Sequence, residues 1–163
     1  MELRDEDFAN VNPGETRVLI PEEGWYRAQF NGYEAKRYGR WGEKLIFQWK
    51  VFTSHDKASF KMLYRYYNLD RDKGERFKFG PLHAYRKDWV AANRGRHPLN
   101  RASLPLSIFR EHLFLVEVVT VRNGADAPLS PSFYWSKIRR VIRPLEDGEP
   151  WEGLPVQPYN SSG

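Results

Sequence analysis

The sequence contains no cysteine, so a disulfide framework, a thiolate nucleophile and a cysteine-ligated metal centre are all excluded. Long apolar runs are missing too. The longest, Leu113 to Val121, is broken by Glu117 and falls far short of the roughly 20 residues a membrane-spanning helix requires. Residues 1–10 are acidic and have no apolar h-region, so neither a signal peptide nor a membrane contact is expected, and a reducing, cytoplasmic setting follows as an expectation. Histidine is scarce: His55, His83, His97 and His112 show no paired metal-ligand spacing and suit surface or capping positions. There is no glycine-rich phosphate loop and no Gly-x-Ser-x-Gly elbow, and Asp70-Arg71-Asp72, followed by Lys73-Gly74, reads as a solvated turn. The expectation is a protein that is not an enzyme and that takes no metal and no organic cofactor.

What the chain does have is aromatic residues and an uneven charge. Aromatics make up 15% of the 163 residues, and a hydrophobic share of 40% can build one core because each ring buries a large area. The net charge is +5 overall. Residues 1–23 carry seven acids against Arg4 and Arg17, and residues 144–163 carry four acids and no base, which leaves +14 on residues 24–143. A basic body between acidic ends suits a polyanionic partner, because each cation placed near a phosphate releases counterions. The chain divides into an acidic N-terminal segment 1–15, a folded domain 16–143 and a flexible acidic Pro/Gly-containing tail 144–163.

Hydrophobic periodicity predicts the elements. A short edge strand is expected at Thr16–Ile20, then strands at Trp25–Ala35, Lys44–Thr53 and Ser59–Leu69, the second with Leu45, Phe47, Trp49 and Val51 alternating against Gln48 and Lys50. The period then changes: Leu82, Tyr85, Trp89 and Ala92 recur at helical spacing, Pro81 suits the first turn and Gly95 the stop. Leu106–Arg110 is too short to assign, one helical turn at most. Two further strands follow at Leu113–Arg122 and Phe133–Ile142. Three strands, a helix and two strands is the order of a mainly β, five-stranded OB-type barrel with one helix between its third and fourth strands.

Three regions carry the chemistry of nucleic-acid binding. The loop after the first strand holds Lys36, Arg37, Tyr38, Arg40, Trp41 and Lys44 around Gly39 and Gly42: aromatics on which bases stack, and cations that follow phosphates. Alternation places Trp25, Arg27 and Gln29, then Gln48 and Lys50, then Lys61, Arg65 and Tyr67 on an outer, concave face, with Phe60, Met62, Tyr64 and Tyr66 turned inward. In the last strand Trp135, Lys137 and Arg139 share a face opposite Tyr134, Ile138 and Ile142. Each set also has a bland reading, as a solvated hairpin or as ordinary polar-out alternation.

Gly24-Trp25-Tyr26-Arg27-Ala28, Gly42-Glu43-Lys44-Leu45-Ile46-Phe47-Gln48-Trp49 and Tyr134-Trp135-Ser136-Lys137-Ile138 together resemble the single-stranded DNA-binding proteins of phages and mobile elements, over residues 16–143. The resemblance implies an OB-fold that coats exposed single strands during replication or recombination, with little sequence preference. Trp25, Arg27, Tyr38, Trp41, Lys50, Arg65, Trp135 and Lys137 would contact the strand. It also implies replication or recombination proteins as partners, although this tail lacks the terminal aromatic that docks them in such proteins. RNA as the bound strand, a homodimer formed through edge strands, and a protein-interaction barrel acting as an accessory or inhibitor factor stand as alternatives.

Overall fold

The computed structural model describes residues 18–71, 77–78, 83–99, 104–146, 149 and 155. Among these residues the strands are β1 (Gly24–Arg37), β2 (Glu43–Phe52), β3 (Phe60–Arg71), the two-residue β4 (Phe77–Lys78), β5 (Phe114–Val121) and β6 (Trp135–Pro144), and the α-helix is α1 (Ala84–Ala92). They form one antiparallel sheet in the order β4-β3-β2-β1-β5-β6. The five long strands and the helix stand in the expected order, with β4 in addition. The expected closure is absent: among the described residues no backbone ladder joins β3 to β6, so the sheet is open rather than a barrel. Among those residues, no helix is long and apolar enough to cross a membrane.

The core follows from the alternation of β2. Leu45, Phe47, Trp49 and Val51 are buried on one face and meet Phe30 of β1, Phe114 of β5, Tyr85 of α1 and Phe109 of the 3-10 turn Leu106–Arg110. The rings meet mainly edge-to-face, as their quadrupoles prefer: Phe47 lies 4.8 Å from Phe30, 5.2 Å from Tyr67 and 5.0 Å from Phe109, centroid to centroid. Phe109 is fully buried and closes this aromatic cluster from beneath.

Helix α1 presents Tyr85, Asp88, Trp89 and Ala92 to the sheet. His83 caps it: its Nδ1 accepts from the Tyr85 amide at 3.0 Å, and its Nε2 lies 2.6 Å from the Asn68 carbonyl of β3. The capping role expected for histidine is therefore met at His83. Gly95, at φ +82°, ends the helix by donating to the Val90 carbonyl. The expected helix residues Pro81 and Leu82 lie outside the described residues.

Simple alternation breaks down at three places, and each changes which side chains reach the outer face. In β1 the pairing with β2 shifts between Phe30 and Gly32, so Asn31 is an extra, bulged residue. In β3 the buried side chains are Leu63, Tyr67 and Leu69, whereas Tyr64 and Tyr66 are half-buried on the outer face, the reverse of the expected assignment. In β6 the pairing with β5 shifts near Ile138 and Arg140, so Val141 is buried in the place expected for Ile142.

Residues 18–20 run beside β6 instead of forming a regular strand: the Ser136 amide donates to the Val18 carbonyl (2.7 Å) and the Ile20 amide to the Ser136 hydroxyl (2.7 Å). Beyond β6, Leu145 is buried and Glu149 holds Arg143 bidentately at 2.7 and 3.0 Å. Residues 1–15 and most of 144–163 lie outside the described residues.

Candidate nucleic-acid interface

Where β3 and β6 face each other across the open sheet, the helix takes the place of the missing ladder. Asp88, on α1, is buried and accepts three hydrogen bonds: from the Tyr67 hydroxyl (2.6 Å), from Arg65 Nε (3.1 Å) and from the Val141 amide of β6 (3.0 Å). One carboxylate thus joins β3 to β6. Burial pushes its pKa up, while the Arg65 guanidinium and the two other donors work against that shift. The same triad explains why Arg65 and Tyr67 turn inward. The Tyr67 hydroxyl needs a buried acceptor, and the Arg65 guanidinium stacks 4.7 Å over the Tyr67 ring while its Nε reaches Asp88. Tyr67 is 1% exposed and offers no stacking face.

Above this stitch the seam leaves a hollow of about 270 Å³. Trp135 and Lys137 of β6 form one wall, Tyr64 and Tyr66 of β3 with Lys44 of β2 form the other, and Ile138 and Arg65 lie at its base. Four of the residues expected to bind, Lys44, Arg65, Trp135 and Lys137, are brought together here from three strands. Lys137 is exposed and has no ion-pair partner among the described residues, whereas Lys44 donates to Asn68 Oδ1. Tyr64 and Tyr66 complete the site, although ring-counting along β3 assigns them to the core. The signal that could have found them is the aliphatic pair Leu63 and Leu69, which lack any polar tip and share the parity of Tyr67.

The remaining expected contacts lie elsewhere. Trp25 is half-buried opposite Glu117 of β5. Arg27 is only 8% exposed and donates to the His55 carbonyl at 2.7 Å, anchoring the loop between β2 and β3. Lys50 sits 4.9 Å over the exposed Phe60 ring. In β6, Arg139 and Arg140 converge on Glu117 at 3.9 and 3.0 Å.

The β1–β2 hairpin is basic but partly self-satisfied. Lys36 stands opposite Lys44 and pairs with Glu34 at 3.1 Å, and Arg37 pairs with Glu43 at 3.4 Å. Arg40 is exposed in the 3-10 turn Gly39–Trp41. The side chain of Trp41 lies outside the described residues. Tyr38, expected to stack on bases, is 1% exposed instead; burial, with Tyr66 and Glu34 nearby, pushes its phenol up. Buried near Tyr66 and Glu34, it packs within the protein and offers no stacking face.

Among the described residues no cluster of three or more His, Asp or Glu could hold a metal ion. No protein-family model, curated protein or solved structure matches the chain.

Proposed function

We propose that the chain binds single-stranded DNA through the hollow between β3 and β6, with little sequence preference. The observation that carries this reading is the composition of that hollow: three half-buried aromatic rings, Tyr64, Tyr66 and Trp135, set between two lysines, Lys44 and Lys137. Aromatic rings stack on bases and lysines beside them follow the phosphates; stacking contributes roughly 1–3 kcal/mol per base. The charge of +14 on residues 24–143 supports the same class of partner.

The strand order supports an OB-type reading of the sheet. The five long strands and α1 stand in OB order, an OB barrel is partly open by nature, and its second and third strands carry the binding face. In this reading the Asp88 bridge replaces the closing ladder.

The test is fluorescence anisotropy of labelled oligo-dT, a matched RNA and a duplex, each titrated with the protein at two salt concentrations. The reading expects tight, salt-sensitive binding to single strands over duplex. It also expects Trp135→Ala to weaken binding by roughly 1–3 kcal/mol without a comparable loss of stability, because Trp135 is only half-buried. Absence of binding at micromolar protein in low salt would overturn it. A preference for RNA over DNA would keep the site and change the strand.

A further inference from the structure

A second hollow, about 340 Å³, adjoins the first across Tyr64 on the outer face of β1 and β2. Its chemistry differs. Among the described residues no lysine or arginine lines it, and Glu34 does, so a phosphate is disfavoured there. Its polar groups instead form an ordered line. Asn31 Nδ2 donates to Gln48 Oε1 at 2.9 Å, and Gln48 Nε2 donates to the Tyr64 hydroxyl oxygen at 3.0 Å.

The backbone is shaped for this line. Asn31 is the bulged residue of β1, which is how its amide comes onto the outer face beside Gln48. Gly32 follows at φ +131°, a conformation natural to glycine, and a Cβ built there would meet nothing within 4 Å. Open space therefore lies directly over the bulge. Because Asn31 and Gln48 both donate in the same direction along the line, its two ends are unlike. Asn31 Oδ1 is left as an acceptor and the Tyr64 hydroxyl proton as a donor, and neither has another partner among the described residues.

We infer, resting on the reading that the chain binds single strands, that this hollow receives the edge of one nucleobase. The base hydrogen-bonds to Asn31 and Tyr64 over Ile46 while the adjoining backbone passes Lys44 and Lys137. Each of the four bases carries both a donor and an acceptor on its Watson–Crick edge, in opposite order on adenine and guanine. The line meets either order by reversing as a unit, with Tyr64 donating to Gln48 and Gln48 to Asn31, so it adds affinity for a base without selecting among bases. Gln48 is a positioning residue here: it fixes the Asn31 amide and orients the Tyr64 hydroxyl.

The test compares full-length wild type with Asn31→Ala, Gln48→Ala and Lys137→Ala. Each is titrated with labelled oligo-dT and with the same oligomer carrying abasic sites at its centre, at two salt concentrations. Asn31 is exposed and bulged, so Asn31→Ala carries the test even if Gln48→Ala melts early. The expected result is that Asn31→Ala and Gln48→Ala each lower oligo-dT affinity about fivefold, one hydrogen bond's contribution, and leave abasic affinity and salt dependence unchanged. Lys137→Ala should weaken both oligomers and flatten the salt dependence. The inference is overturned if the asparagine and glutamine variants keep the wild-type ratio of oligo-dT to abasic binding, or if they weaken both oligomers equally. Failure of the wild type to bind either oligomer overturns the single-strand reading itself.

Discussion

Asp88 takes hydrogen bonds from Arg65, Tyr67 and the Val141 amide, and these donors belong to two strands that no ladder connects among the described residues. Removing the carboxylate would leave a buried hydroxyl and a buried amide without their acceptor, and a part-buried guanidinium without its counter-charge. Asp88→Ala is accordingly expected to lower stability by about 3 kcal/mol in urea unfolding, the usual cost of breaking a buried pair from one side. Asp88→Asn keeps the shape and one acceptor oxygen, so its loss should be clearly smaller. Equal losses for the two variants would mean that packing, and not the three hydrogen bonds, holds the seam. The same residue shows where sequence reading stops. Arg65 and Tyr67 look like outward-facing binding residues until Asp88 arrives from a helix 23 and 21 positions further on, respectively, and nothing local announces that contact.

At the scale of elements, alternation succeeds where the two parities of a strand differ in kind and fails where they do not. In β2 one parity is Leu45, Phe47, Trp49 and Val51, and the other includes Lys44, Gln48 and Lys50, so the buried face is legible. In β3 both parities carry aromatics, and the count of rings favours the parity that faces out. The bulge at Asn31 and the register shift in β6 are not legible either, since a bulge is defined by its partner strand. Of the site, Lys44, Trp135 and Lys137 are legible as cations and a ring on outward parities, and Tyr64, Tyr66 and Asn31 are not. The β1–β2 hairpin is legible as a glycine-containing basic loop, but the role of Tyr38 is the reverse of the one its sequence neighbours suggest. Its burial, with its amide donating to the Gly42 carbonyl at 2.8 Å, makes it the hairpin's fastening. Tyr38→Ala should release that fastening locally: amide exchange should speed up across residues 36–44 while α1 keeps its protection, with a loss of about 2 kcal/mol for that opening. Exchange accelerated equally in α1 would show that the hairpin and the core unfold as one unit.

For the molecule as a whole, the titrating groups set limits on both sides of neutrality, and the signs follow from the direction of each shift. Glu23 is held below the ordinary 4.5 chiefly by the Thr120 amide, and Glu149 chiefly by the Arg143 guanidinium. Both tie flanking segments of the chain to the sheet, Glu23 to β5 and Glu149 to the end of β6. A lowered carboxyl contributes stability that is present above 4.5 and is lost as the pH falls through that value toward the native one. The phenols run the opposite way. Burial, with Glu22 adding to it, pushes Tyr26 up to about 12, and burial also raises Tyr38, Tyr67 and Tyr85 above the ordinary 10. A raised phenol contributes stability that is present below 10 and is lost as the pH rises through its native value, because the unfolded chain gives up the proton first. Glu23, Glu149 and the phenols therefore predict denaturant midpoints that fall below about 4.5 and above about 10. Asp88, raised by burial, opposes the acid fall because the native state holds its proton more tightly than the unfolded chain does. Glu149→Gln should make the acid fall shallower and leave the alkaline one alone. Tyr26→Phe should do the reverse, since the ring stays and only the ionisable hydroxyl, which donates to the Glu22 carbonyl at 2.6 Å, is removed. An alkaline fall unchanged in Tyr26→Phe would assign that limit to the deeper phenols, Tyr67 above all, whose ionisation must also break the hydrogen bond that holds β3 to Asp88.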